Sequence, residues 1–245
     1  TDPDRVALTA STVEGINHVA GAIDFEPGDT VVRTDLEHPA GELPWERLRD
    51  RRGISVREVP TERGHLDIDA LKDAVEGARL VCLSSVAWNY GTRLPVRQVV
   101  EIAHDAGAQV LVDAVQSPGQ MPVRVEDWGA DFVAASGHKW LLGVWGAGFL
   151  YVQEPTAVEP NRIGYFSVDW DAQDDRDTST QEYTFHPSAR RFELGTRAVA
   201  PHAALETAIE TAEAIGLDRI EDRIARLTDR LKDGLGDRLL SPRDS

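Results

Sequence analysis

Residues 110–152 read VLVDAVQSPGQMPVRVEDWGADFVAASGHKWLLGVWGAGFLYV, and the rest of the chain can be read outward from them. Asp113 closes the apolar run VLV, and Gln116 follows it by three. Lys139 is one of only three lysines in 245 residues, and it stands after a second apolar run, just ahead of Trp140, Leu141 and Leu142. A lysine in such a setting can be desolvated, which disfavours its ammonium form and leaves a nucleophilic amine.

An acid at one strand end and a lysine at the next can hold pyridoxal phosphate (PLP). The lysine forms a Schiff base, and the carboxylate keeps the ring nitrogen protonated so that the ring accepts electrons. The same pair also arises from a strand-end Asp and a Lys snorkelling to the surface. The residues around the pair weigh between these readings.

Outward from this stretch, short apolar segments alternate with amphipathic ones. Strands are expected up to residue 8 and over 30–34, 54–59, 80–86, 110–112 and 149–152. Helices are expected over 13–23, from near Pro44 to Gly53, from Asp67 to near Gly77, over 95–106, over 199–215 and over 217–235. This alternation predicts an α/β fold with three α/β/α layers around a mainly parallel sheet. In such sheets ligands gather at the carboxyl ends of strands. His38, Asp113 and the run Ser136 to Lys139 each follow an expected strand end.

Ser11 and Thr12 are N-cap candidates for the first helix. Free amides at that helix start can bind a phosphate, or the two residues can serve as an ordinary cap. His38 follows Glu37 in a loop, where a lone histidine is usually structural or exposed. Trp88 lies in AWNYGTRLP, either in the core or at the site. Gly143, Gly146 and Gly148 precede a strand instead of opening a helix, so they are no dinucleotide fingerprint. No Walker motif, zinc-protease helix motif or nucleophile elbow occurs, which leaves a nucleotide-binding α/β domain without a phosphate loop.

D-x-x-Q at 113–116, S-G-H-K at 136–139 and G-x-G-x-L-Y-V at 146–152 resemble the class V aminotransferase group of fold-type I PLP enzymes. That group includes cysteine desulfurases, kynureninase-like hydrolases and isopenicillin-N-epimerase-like proteins. The resemblance runs roughly from Thr9 to Thr196. It implies that Lys139 is the aldimine lysine and that Asp113 pairs with the pyridine nitrogen. It also implies that Gln116 contacts the ring's phenolic oxygen and that Ser136 and His138 hold the phosphate. S-T-V-E-G-I-N at 11–17 resembles the family's phosphate-binding turn, implying Ser11, Thr12 and the backbone amide of Val13, which stands where many relatives have threonine. E-H-x-A at 37–40 implies that His38 stacks over the cofactor ring. R-R-F-E-L-G-T at 190–196 implies that Thr196 touches the phosphate of a neighbouring subunit in a two-fold homodimer with shared sites. The resemblance further implies a PLP-binding large domain over 1–198, then helices over 199–245 leading to a small C-terminal domain. That domain and the opening N-terminal arm are expected to be missing from this chain, and with the small domain the usual substrate-carboxylate arginine.

Acidic residues outnumber basic ones by 42 to 26, a formal charge of -16. Such an excess argues against a nucleic-acid partner. With so few lysines it suggests a high-salt, halophilic cytoplasm in which self-repulsion is screened. One cysteine, Cys82, excludes an internal disulfide framework and a multi-cysteine metal site, and no metal centre is expected. It sits in the apolar run LVCLSSV, the setting of a buried structural thiol. No run of eighteen apolar residues and no signal peptide occurs, so a soluble cytoplasmic protein with no membrane partner is expected. Residues 169–177 read as a solvated surface loop.

These readings rank an aminotransferase-like PLP enzyme acting on a small amino-acid substrate first. An epimerase or C–S lyase comes second and a cysteine desulfurase third, because desulfuration needs a mobile cysteine. A non-catalytic PLP-fold remnant is the alternative from another class.

Overall fold

A computed structural model describes residues 1–172 and 183–243. The first elements are β1 (Val6–Thr9), α1 (Thr12–Ala22), β2 (Thr30–Thr34), α2 (Pro39–Arg52) and β3 (Ser55–Val59). A small hairpin of β4 (Thr61–Glu62) and β5 (His65–Leu66) leads to α3 (Ile68–Val75) and β6 (Leu80–Ser84). Then come α4 (Val96–Asp105), β7 (Gln109–Asp113), the one-turn α5 (Val125–Trp128), β8 (Phe132–Ser136) and β9 (Gly148–Val152). Two helices, α6 (Val199–Ile215) and α7 (Leu217–Leu235), close the order.

The main sheet runs β1-β9-β8-β7-β6-β2-β3. Pairs from β8 to β3 are parallel, whereas β9 is antiparallel to both β8 and β1. All five residues of β6 and of β8 are buried, as expected of strands covered on both faces. One core holds Leu71, Val99, Val112, Val133 and Tyr151. The other holds Ile16, Val19, Trp45, Leu111 and Phe132. The sheet separates them, giving the expected three layers.

The antiparallel return from β8 to β9 has a consequence for the site. Ser136 pairs with Gly148, so residues 137–147 leave and re-enter the sheet at one edge. Parallel β6, β7 and β8 end at that same edge. Their register places Ser84 opposite Asp113, and Asp113 opposite Ala134. Lys139 is thereby delivered to the edge where Asp113 ends.

Two expectations change. Helix α2 starts at Pro39, not near Pro44. Pro39 takes the first helical position, where its missing N–H costs nothing, and His38 caps the helix by accepting the Ala40 N–H on Nδ1 at 3.2 Å. Pro44 lies inside. Strand β6 stops at Ser84, two residues short of the expected end, because its partner β7 stops at Asp113. Val86 instead bridges to Arg93 across the turn. Of the solvated loop expected over 169–177, residues 173–177 lie outside the described residues.

Candidate active site at the carboxyl edge of the sheet

Asp113, the last residue of β7, is 3 % exposed. Among the described residues its carboxylate accepts one hydrogen bond, from the Val115 N–H at 2.9 Å. Burial pushes its carboxyl up to about 6, while the Val115 amide and the charge of Lys139 pull it back. Lys139 is therefore near enough for its ammonium to act on that carboxyl. Asp113 keeps capacity for one more donor, which suits a protonated ring nitrogen.

Lys139 is half-buried in a cross-braced turn. Leu142 donates its N–H to the Lys139 carbonyl at 3.0 Å, Gly143 donates to Gly137 at 2.9 Å, and Gly137 donates to Ala147 at 2.9 Å. Leu142 takes φ of 59°, a left-handed conformation uncommon for a residue with a γ-branched side chain. Next to the lysine, the Trp140 indole N–H donates to Gln116 Oε1 at 3.0 Å. Gln116 is thus oriented by the residue after Lys139.

The N-terminus of α1 approaches from β8. Ser11 caps the helix, its Oγ accepting the Glu14 N–H at 3.2 Å. Glu14 reaches back to the Ala10 N–H, completing a reciprocal cap. The Thr12 N–H donates to Ser136 Oγ at 2.6 Å, and the two hydroxyls lie 2.7 Å apart. Val13 is half exposed, and its amide N–H has no partner among the described residues. A free amide at a helix start, beside the buried hydroxyls of Thr12 and of Ser136, the latter three residues ahead of the lysine, fits a phosphate. Ser11 Oγ is occupied by the cap.

His38 follows β2 at the same edge. It is exposed and meets Trp88 edge to face, with ring centroids 5.4 Å apart at 83°. Trp88 is 51 % exposed, which removes the core alternative and puts it at the mouth of the site. His138 stacks on Trp145 at 4.3 Å and 13°. Burial, then the charge of Lys139, lowers its proton affinity. Thr196 is exposed and bonded to Tyr165, whose oxygen accepts the Thr196 N–H at 3.0 Å. No hydrogen bond among the described residues joins Thr196 to Ser136 or Lys139.

The structure thus brings together Asp113, Gln116, Lys139, Ser136, Thr12, Val13 and, across the mouth, His38. Glu37, Ser84, Trp140 and Gly119 escaped the sequence reading. A Cβ on Gly119, whose φ is +95°, would stand 2.5 Å from the Leu141 nitrogen, so this glycine lets the two loops touch. Glu37 was visible only as the neighbour of His38. Cys82 is fully buried, its Sγ 3.9 Å from the Gly41 carbonyl, and burial raises the thiol well above its usual range.

A model of the family "Aminotransferase class-V" matches residues 1–239. The chain is 39% identical over 232 residues to a probable cysteine desulfurase of Methanothermobacter thermautotrophicus, covering 93% of this chain and 56% of that protein. It is 35% identical to a cysteine desulfurase of Dickeya dadantii, covering 89% of this chain and 53% of that protein. The apo structure of a cysteine desulfurase from Thermococcus onnurineus superposes with a TM-score of 0.86 at 34% identity, covering 95% of this chain and 57% of that one. The cystine C–S lyase C-DES, in complex with its product cysteine persulfide, has a TM-score of 0.86 at 27% identity, covering 97% and 64%. A C-DES variant carries glycine covalently linked to its PLP cofactor. The chain spans a little over half the length of these curated relatives.

Proposed function

The chain belongs to the class V aminotransferase family of PLP enzymes, and from that premise we propose that it cleaves the C–S bond of cysteine or a cysteine-derived amino acid. This places C–S cleavage ahead of the aminotransferase reading favoured by the sequence. The observation that carries it is the lysine–aspartate pair at one sheet edge, in a chain whose relatives are named desulfurases and a C–S lyase.

When bound, PLP supplies an aldehyde that captures an amino group and a ring that takes up the electron pair left at the substrate Cα. Lys139 would hold the cofactor, and its amine would move the Cα proton as general base. Asp113 keeps a proton on the ring nitrogen. Gln116, held by Trp140, would contact the phenolic oxygen, and His38 with Trp88 would restrain the ring. Ser136, Thr12 and the Val13 amide take the phosphate, with His138 beside them. Cys82, buried and protonated, does not accept sulfur. A β-elimination that releases a thiolate or persulfide needs no thiol from these residues.

A two-fold homodimer with shared sites is part of this reading, with Thr196 reaching the partner's phosphate. Leu142 at 84 % and Trp145 at 80 % exposure support it, since a patch of large apolar side chains beside a site marks an interface. Residues 1–198 form the cofactor domain in this reading, and 199–245 the helices leading from it. The acidic surface fits a salty cytoplasm. No helix among the described residues is long and apolar enough to cross a membrane.

Intact protein is incubated with PLP and then with cysteine, cystine and an amino-acid/keto-acid panel. Sulfide or persulfide formation with pyruvate or alanine, lost in Lys139→Ala, is expected. Amino transfer without sulfur release would replace the C–S reading with the aminotransferase one. If no lysine-dependent absorbance appears at about 420 nm, the enzyme reading gives way to a non-catalytic remnant.

A further inference from the structure

Glu37 has no role in the chemistry above, yet it is 3 % exposed at the centre of the strand edge. Its Oε1 accepts the Thr34 hydroxyl at 2.7 Å, and its Oε2 accepts the Ser84 hydroxyl at 2.6 Å. Thr34 ends β2 and Ser84 ends β6, so one carboxyl bridges the ends of two adjacent parallel strands. From the helix side, a Cβ on Gly41 would come within 3.5 Å of Oε2, so the first turn of α2 closes over it. The Glu37 carbonyl accepts the Trp88 indole N–H at 3.3 Å, and the next residue is His38. Trp88 and His38 are the edge-to-face pair at the mouth of the site.

Among the described residues no cation pairs with this carboxyl. From β7 it faces Asp113 and from β6 Cys82, both acidic groups. Arg33 on β2 is taken by Glu58 at 2.6 Å, with Glu42 and Glu46 of α2 at 3.7 and 3.8 Å. Burial pushes Glu37 up to about 7; the two hydroxyls resist the rise and Asp113 adds to it. A neutral carboxyl suits both partners, because a hydroxyl can accept as readily as it donates.

We propose that Glu37 is a positioning residue: a buried acid that keeps its proton, it ties β2 to β6 through Thr34 and Ser84 and holds His38 and Trp88 over the cofactor. The positioning half rests on the PLP reading, whereas the proton half concerns the apoprotein alone.

The apoprotein is unfolded in denaturant from about pH 5 to about pH 8, wild type beside Glu37→Gln. Folded Glu37 keeps its proton to about 7, against 4.5 for the free group, so across that window wild type loses more stability than the glutamine variant, in which only groups such as Asp113 still titrate. The stability of Glu37→Gln relative to wild type should therefore climb with pH. Ser84→Ala removes a donor that favours the carboxylate, and it should move the wild-type transition to higher pH. A flat difference, or an unmoved transition in Ser84→Ala, overturns the inference.

In the second arm, PLP affinity and the visible circular dichroism of bound PLP are followed in intact protein. Glu37→Gln should match wild type at about pH 6 and stay flat to about pH 8. Glu37→Ala, which leaves Thr34 and Ser84 without their partner, should bind about tenfold more weakly with an altered dichroism band. Glu37→Ala that matches wild type, or Glu37→Gln as weak as Glu37→Ala, overturns the positioning role while wild-type binding keeps the function reading intact. Wild type that binds no PLP ends the function reading, and the positioning role with it.

Discussion

A Cβ added to Gly119 would stand 2.5 Å from the backbone nitrogen of Leu141 and would press on the carbonyl of Trp140. The loop that follows Asp113 and the turn that holds Lys139 are thus in backbone contact at a position where φ is +95°. Gly119→Ala meets both the collision and the left-handed strain. It should cost on the order of 2–4 kcal/mol in denaturant unfolding and weaken PLP capture by Lys139. Wild-type stability in this variant would show that the two loops are not clamped here.

Asp113 titrates at about 6 in the folded protein, above its ordinary 3.8. The folded apoprotein therefore binds the extra proton, and this group's contribution to stability is lost as pH rises toward 6. A cationic ring nitrogen favours the carboxylate, so PLP binding should release that proton. Affinity is then expected to weaken as pH falls below 6, by about tenfold per unit. Asp113→Asn should bind weakly at every pH. Dissociation constants measured by tryptophan quenching across this range check both statements.

Ser136 links the end of β8 to the start of α1 through Thr12. Ser136→Ala keeps the buried strand and removes one charge-assisted phosphate contact. A loss of roughly tenfold in PLP affinity is expected, together with a cost on the order of 1–3 kcal/mol in apoprotein stability as the buried Thr12 N–H loses its acceptor. Pyridoxal, which lacks the phosphate, should bind both proteins alike. Equal loss for pyridoxal would move Ser136 away from the phosphate.

A net charge of -16 makes the compact state repel itself. Raising KCl from about 0.1 M to about 1 M shortens the screening length from about 10 Å to about 3 Å. The melting temperature should rise with salt over that range. A melting temperature independent of salt would remove the halophilic reading.

Much of this protein was written along the chain. Local rules read much of it: period-two and period-3.6 patterns gave the sheet and helices, Ser11, one of two N-cap candidates, caps α1, and Asp113 and Lys139 each stood out after an apolar run. Their signals lie within a few residues of each other, so no folding was needed to see them. Pro44 misled because proline marks a helix start only when nothing upstream fills that position, and here Pro39 does.

Tertiary structure alone decided which strand ends face one another. Parallel pairing of β8 with β7 brings the turn after Ser136, Lys139 in it, to the edge where Asp113 ends, and the register of β6 on β7 sets Ser84 opposite Asp113. It also decided the state of Glu37, whose two partners lie three and forty-seven positions away. A carboxyl's proton affinity is set by the water it loses and the charges it meets, and both exist only once distant segments have packed.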